Sequence, residues 1–255
     1  MLSLYWYVTK LAARRSLTSW PVALSFLVYW AVLLVASLLF GRLGLIGGLL
    51  IGLVAAACWS SYLELISQAV GGVRFRLTWD EFKHSFLKRF PDVLSVMFAF
   101  FLISLLTAPL MIGGHARQIG AIMGFAFAFF FNAVPELLYQ GSSRSFALLV
   151  DSGRFVMEFP VAWFVPNVAF AALALWVDGS LSLMHPVEFL IGFGNLFSST
   201  STIESIFDGL PLWQKPIALL LVHFVMIFRG LLFSELSSGG GNARRRAFRA
   251  AMQRR

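Results

Sequence analysis

Six long apolar stretches alternate along the chain with short segments that carry most of its charge. Read as helices they are 21–40, 45–63, 93–112, 119–138, 161–177 and 216–233. Each holds roughly 17–22 residues, which at about 1.5 Å per residue matches a hydrocarbon core of about 30 Å. Three of the intervening segments, Leu4 to Trp20, Thr78 to Phe90 and Ser143 to Phe159, instead mix aromatic and charged residues at helical spacing. That pattern predicts helices lying in the headgroup plane. In the second, Thr78 and Glu81 form a capping box, with Leu77 and Phe82 at staple positions. Trp79, Phe82, Phe86 and Phe90 then follow the helical period, with Lys83, Lys88 and Arg89 between them. The third takes its apolar residues from Phe146, Leu149, Val150, Val156 and Phe159, and its polar ones from Arg144, Asp151, Arg154 and Glu158. Gly153 weakens that helix.

Each interfacial segment ends in an aromatic residue followed by proline: Trp20-Pro21, Phe90-Pro91 and Phe159-Pro160, spaced 70 and 69 residues apart. Proline is tolerated there because the first turn of the following span has no intrahelical use for its N–H. The second and fourth spans repeat as well. Gly48, Gly52, Ala56, Ser60 and Glu64 recur at a constant offset of 72 as Gly120, Gly124, Ala128, Asn132 and Glu136. Both glutamates open the string Glu-Leu-aliphatic-x-Gln, and a third copy survives as Glu235-Leu236. The unit is an interfacial helix, a proline, an outward span and an inward span. The pattern therefore predicts an all-α membrane protein, one domain over 1–255, with six transmembrane helices in three tandem repeats near 4–70, 75–140 and 143–236. These are parallel repeats, related by an axis along the membrane normal. A basic tail occupies 239–255, and an outer insertion near 178–215 is expected to form a re-entrant or surface helix.

Composition agrees with this reading. The 255 residues are 59% hydrophobic and 13% charged, with a mean hydropathy of +0.81, against about 25% charged in soluble domains. Six spans leave no room for a soluble catalytic domain. One cysteine and four histidines exclude an internal disulfide and disfavour a zinc cluster, so no metal or cofactor is expected. With both termini inside, seventeen of the twenty basic residues fall on the cytoplasmic side, and only Arg42, Arg117 and Lys215 lie outside. The twenty residues before the first proline carry Lys10, Arg14 and Arg15 and no cleavage pattern follows, so the first span is expected to stay as an anchor. The net charge of +8 then lies near the cytoplasmic leaflet, where it favours anionic headgroups as partners and gives no nucleic-acid footprint. The residues expected to meet headgroups are Lys83, Lys88, Arg89, Arg244, Arg245 and Arg246, the last three in a tail that could also dock a cytoplasmic protein.

The small-residue stripes, Gly48, Gly52 and Ala56 with Gly120, Gly124 and Ala128, fit close helix packing, or the lining of a conduction path. Hydropathy places Glu64, Asn132, Glu136, Asn167 and Arg229 in the inner half of the bilayer. This polar cluster is either a structural ion pair, with Glu136 the candidate partner of Arg229, or part of a polar vestibule. Pro135 and Pro166 are expected to bend the fourth and fifth spans. His223, alone in the sixth span, reads as a hydrogen-bond partner between helices. No nucleophile elbow, zincin helix, phosphate loop or metal-ligand spacing occurs, so no enzyme activity is expected.

The run from Thr78-Trp79-Asp80-Glu81-Phe82 to Phe90-Pro91, and that from Ser143-Arg144-Ser145-Phe146 through Phe155 to Pro160, resemble a bacterial family. This is the multi-pass membrane domain found fused to some glycerophosphoryl diester phosphodiesterases, together with its free-standing relatives. The resemblance is one of pattern. It implies a bacterial inner-membrane protein, and it implies no phosphodiesterase activity, because these residues include no such barrel. The layout of six spans, interfacial helices and an outer insertion also resembles ABC-type export permeases. In those, the cytoplasmic helix would couple to an ATPase partner. The expected function is thus non-enzymatic: lipid or small-solute handling or an envelope scaffold at the cytoplasmic leaflet, with the permease subunit as the alternative.

Overall fold

The computed structural model describes residues 1–72, 78–107, 109, 116–141, 145–178 and 214–238. The basic tail with Arg244, Arg245 and Arg246, most of the outer insertion and the side chain of Ala128 lie outside the described residues. Among the described residues every regular element is helical. They are α1 (Leu2–Thr18), α2 (Trp20–Phe40), a single 3-10 turn (Gly41–Leu43), α3 (Gly44–Gly71), α4 (Trp79–Lys88) and α5 (Phe90–Thr107), followed by α6 (Ala116–Phe130), α7 (Val134–Gln140), α8 (Ser145–Glu158), α9 (Pro160–Asp178) and α10 (Gln214–Ser237). Four runs are long and apolar enough to cross a membrane: Trp20–Leu43, Ile46–Gly71, Trp79–Thr107 and Leu219–Ser237. Two shorter apolar helices, Gln118–Phe127 and Pro160–Phe170, fall below that length.

Local sequence explains where these helices start and stop. Thr78 accepts from the Glu81 N–H at 3.3 Å while the Glu81 carboxylate accepts from the Thr78 N–H at 3.2 Å, so α4 opens with the expected capping box. Gly44, at φ +58°, makes the sharp turn into α3, and Gly72, at φ +74°, ends it in the left-handed conformation that glycine adopts without penalty. The fourth predicted span is not one helix. It stops at Phe130, turns through residues 131–133 and resumes as α7, because Pro135 lacks the N–H that would continue the ladder. A bend was expected there, and the structure gives a full break.

Helix packing follows a consistent scheme. α2 lies on α3, α4 lies along the C-terminal half of α3, α8 packs against α5, α6 and α7, and α1 packs against α10. α4 is fastened by a hydroxyl chain: Tyr29 Oη to Ser61 Oγ at 2.7 Å, then Ser61 Oγ to Ser85 Oγ at 2.5 Å. Phe82 and Phe86 pack on the same Tyr29 ring. Gly153 does not interrupt α8. A Cβ at Gly153 would meet Phe130, at the end of α6, at 3.7 Å, an ordinary van der Waals contact.

The small-residue stripes do not pack as expected. No described atom lies within 4 Å of a Cβ built at Gly48, Gly52 or Gly124, whereas Ala56 and Ser60, further along α3, are fully buried. α3 meets the fourth-span segment through α7. The close contact is therefore in the C-terminal half of α3, and Gly48, Gly52 and Gly124 do not provide it. Gly120 is half-buried. The tightest glycine lies elsewhere, on α10. A Cβ at Gly230 would fall 2.8 Å from Val70 Cγ2, 3.2 Å from Gln140 Nε2 and against the Tyr139 hydroxyl, so α3, α7 and α10 converge at this point.

Candidate functional site

The polar residues singled out by hydropathy form two adjoining networks where the C-terminal halves of α3 and α10 meet α7. The first is centred on Glu64. Because α3 continues past Leu63 to Gly71, Glu64 faces inward at 2% exposure rather than ending the helix in water. Its carboxylate accepts from Arg89 Nε at 2.8 Å, from Gln68 Nε2 at 3.3 Å and from Lys88 Nζ. Arg89 also donates through Nη1 to the Leu138 carbonyl at 2.7 Å and through Nη2 to Ser67 Oγ at 3.4 Å. Its backbone N–H donates to Ser60 Oγ at 3.1 Å. A guanidinium on the last carbonyls of α7 also satisfies that helix's C-terminal dipole. Both cations expected to serve headgroups pair with Glu64 here: Arg89 is largely covered, whereas Lys88 reaches Glu64 with most of its side chain exposed. The Arg89 bridge joins α3 to α7.

The second network is centred on Glu136 and Arg229, both essentially without exposed surface. Arg229 donates from Nε to Oε1 at 2.7 Å and from Nη2 to Oε2 at 3.0 Å, a bidentate pair that fixes α10 against α7. Nη2 also donates to the Asn132 carbonyl at 2.5 Å, and the guanidinium lies 5.0 Å from the centre of the Trp163 ring. The helix break dictates this arrangement. Carbonyls freed between α6 and α7 need donors inside the apolar interior. Arg229 supplies one at Asn132, and Ser152 Oγ supplies another to Phe130 O at 2.8 Å. Glu136, in the first turn of α7, balances the positive end of that short helix. Pro166 creates the same need in α9, and there the Tyr5 hydroxyl of α1 donates to Ala162 O at 3.2 Å. Burial raises the Tyr5 phenol above its ordinary value.

Asn132, Glu136 and Arg229 thus form one unit together with Trp163, and Asn167 adjoins it, while Glu64 belongs to the neighbouring network. Trp163, Ser152 and Tyr5 were missed from the sequence. Trp163 carried a readable signal, since a tryptophan well inside an apolar stretch needs a partner for its N–H. It donates from Nε1 to Asn132 Oδ1 at 2.7 Å, and its carbonyl accepts from Asn167 Nδ2 at 2.8 Å. Those two bonds fix both amide orientations, because the indole can only donate and the carbonyl can only accept. Among the described residues, Asn132 Nδ2 and Asn167 Oδ1 are buried without a partner. The two asparagines should therefore respond differently to replacement. Asn132→Leu removes the partner of the indole N–H and should destabilise by about 1–3 kcal/mol. Asn167→Leu also removes an unmatched acceptor and should leave stability unchanged or raise it. Denaturant unfolding in detergent separates the two, and equal losses would refute the assignment.

A third contact closes the far side. Ser19 Oγ, buried between α1 and α2, meets His223 Nε2 of α10 at 3.1 Å, and Arg15 donates to the Val70 carbonyl at the end of α3. His223 is the inter-helix hydrogen-bond partner that its position suggested, and its Nδ1 has no partner among the described residues. Comparison of the chain with family models, curated proteins and solved structures gives no match.

Proposed function

We propose that this chain is a non-enzymatic bacterial inner-membrane protein that engages anionic lipid at the cytoplasmic leaflet. In this reading α6–α7 and α9 complete a set of six spans, both termini lie inside, and the three repeats form a ring. Three contacts support the ring: α4 rests on α3, α8 on α6 and α7, and α1 on α10. Each interfacial helix would then lie on the inward span of the unit before it. The equivalent carboxylates Glu64 and Glu136 are each neutralised by a cation from further along the chain, Arg89 and Arg229. Charges held this way lock helices together, which favours a rigid membrane body over a polar path for solutes.

The observation that carries the lipid reading is the outer face of the interfacial helices. α1 exposes Trp6 at 62%, α4 exposes Trp79 at 65% and α8 exposes Met157 at 63%, beside basic residues and away from the buried networks. Aromatic and apolar side chains combined with cations are what the headgroup boundary receives. Native mass spectrometry after mild extraction is expected to find anionic phospholipid bound. A stoichiometric ATPase in its place would establish the permease alternative, and a set of envelope proteins would establish a scaffold.

A further inference from the structure

We propose that Trp6 with Lys10 on α1, and Trp79 with Lys83 on α4, form two clamps that each hold an anionic phospholipid by its phosphate. This deepens the lipid reading above and rests on it. Lys10 Nζ lies 4.9 Å from the centre of the Trp6 ring, and Lys83 Nζ lies 5.2 Å from that of Trp79. The device is the same in both: a tryptophan and a lysine four residues later, on the outer face of an amphipathic helix. The opposite faces are fixed, by Val8 and Ala12 in α1 and by Phe82 and Ser85 in α4, so neither pair can rotate inward.

Both helices lie at the same end of the molecule, because Arg15 of α1 and Arg89, directly after α4, both bond to the inner end of α3. Their lysines differ from the cations that carboxylates hold. Lys88 and Arg89 are taken by Glu64, Arg154 by Asp151 and Arg229 by Glu136, whereas Lys10 and Lys83 make no ion pair among the described residues. α1 contains no acidic residue. In α4 the acidic residues Asp80 and Glu81 sit in the first turn, where Glu81 is held by the capping box.

An ammonium over an indole face keeps its N–H donors pointing outward, and the acceptor that complements them is an anionic oxygen. The neighbouring exposed side chains Leu2, at 85%, and Leu87, at 72%, supply apolar surface for acyl chains, which assigns the phosphate to a lipid rather than to a free ion. α8 has neither tryptophan nor lysine, so the count is two and not three.

The test places the full chain in nanodiscs of phosphatidylglycerol and phosphatidylethanolamine and counts retained lipid by native mass spectrometry. The wild type should keep up to two phosphatidylglycerol molecules in preference to phosphatidylethanolamine. Lys10→Gln and Lys83→Gln should each lose one, the double variant should bind at least tenfold more weakly, and Lys10→Arg with Lys83→Arg should restore retention. Undiminished retention by the double glutamine variant overturns the clamps and leaves the lipid reading standing. A wild type that keeps no anionic lipid overturns both.

Discussion

Replacing Arg229 by methionine should lower stability by about 3–5 kcal/mol, because it leaves the Glu136 carboxylate buried with no compensating cation. The loss comes less from the pair itself than from the stranded charge. Glu136 has no exposed surface, and the same guanidinium also satisfies the Asn132 carbonyl at the helix break. Arg229→Met therefore strands two groups at once. The double variant Glu136→Leu with Arg229→Met removes both charges and should recover most of the deficit, since apolar replacement of a buried ion pair is often neutral or stabilising. A thermodynamic cycle from denaturant unfolding in detergent measures the coupling. Additive losses would show that the two side chains do not act as a pair.

Gly230→Leu is expected to have the second largest effect, an overpacking loss of about 1–3 kcal/mol. Three helices meet at this glycine, and the first added carbon would already fall 2.8 Å from Val70 Cγ2 and against the Tyr139 hydroxyl. Tyr139 is itself buried. The same substitution at Gly52 enters open space and should be nearly silent in the isolated chain. Melting temperatures of the two variants in one detergent compare the sites directly, and a silent Gly230→Leu would show that α3, α7 and α10 are not in contact there.

Hydropathy located Glu136 and Arg229 at one depth, and opposite charges at one depth in an apolar medium have few alternatives to each other. Their pairing was therefore legible. Glu64 was placed near its true depth but given the wrong surroundings, because nothing in an apolar tally shows that α3 continues two turns further or that α4 folds back along it. Arg89 misled for the same reason. It sits on a basic, aromatic helix and reads as a surface residue until the partner helix is known. The glycine stripes were legible as a pattern, yet spacing states only that a face is narrow. It does not say whether that face meets a helix or lipid. The break at Asn132 followed from Pro135 in kind but not in degree, since the donors that make a full break tolerable, Ser152 and Arg229, come from elements far along the chain.

The packing of α1 on α10 joins residues 204 positions apart at Ser19 and His223. α1 thus waits for α10, made far later in the chain, before it can bury its inner face. Contacts of such large sequence separation form late and slowly. During that interval Val8, Ala12 and Ser19 have no permanent cover, which a helix amphipathic enough to rest at the headgroup boundary can endure without aggregating. The packing of α1 is closed only once α10 is in place, so a helix made early is locked by one made late.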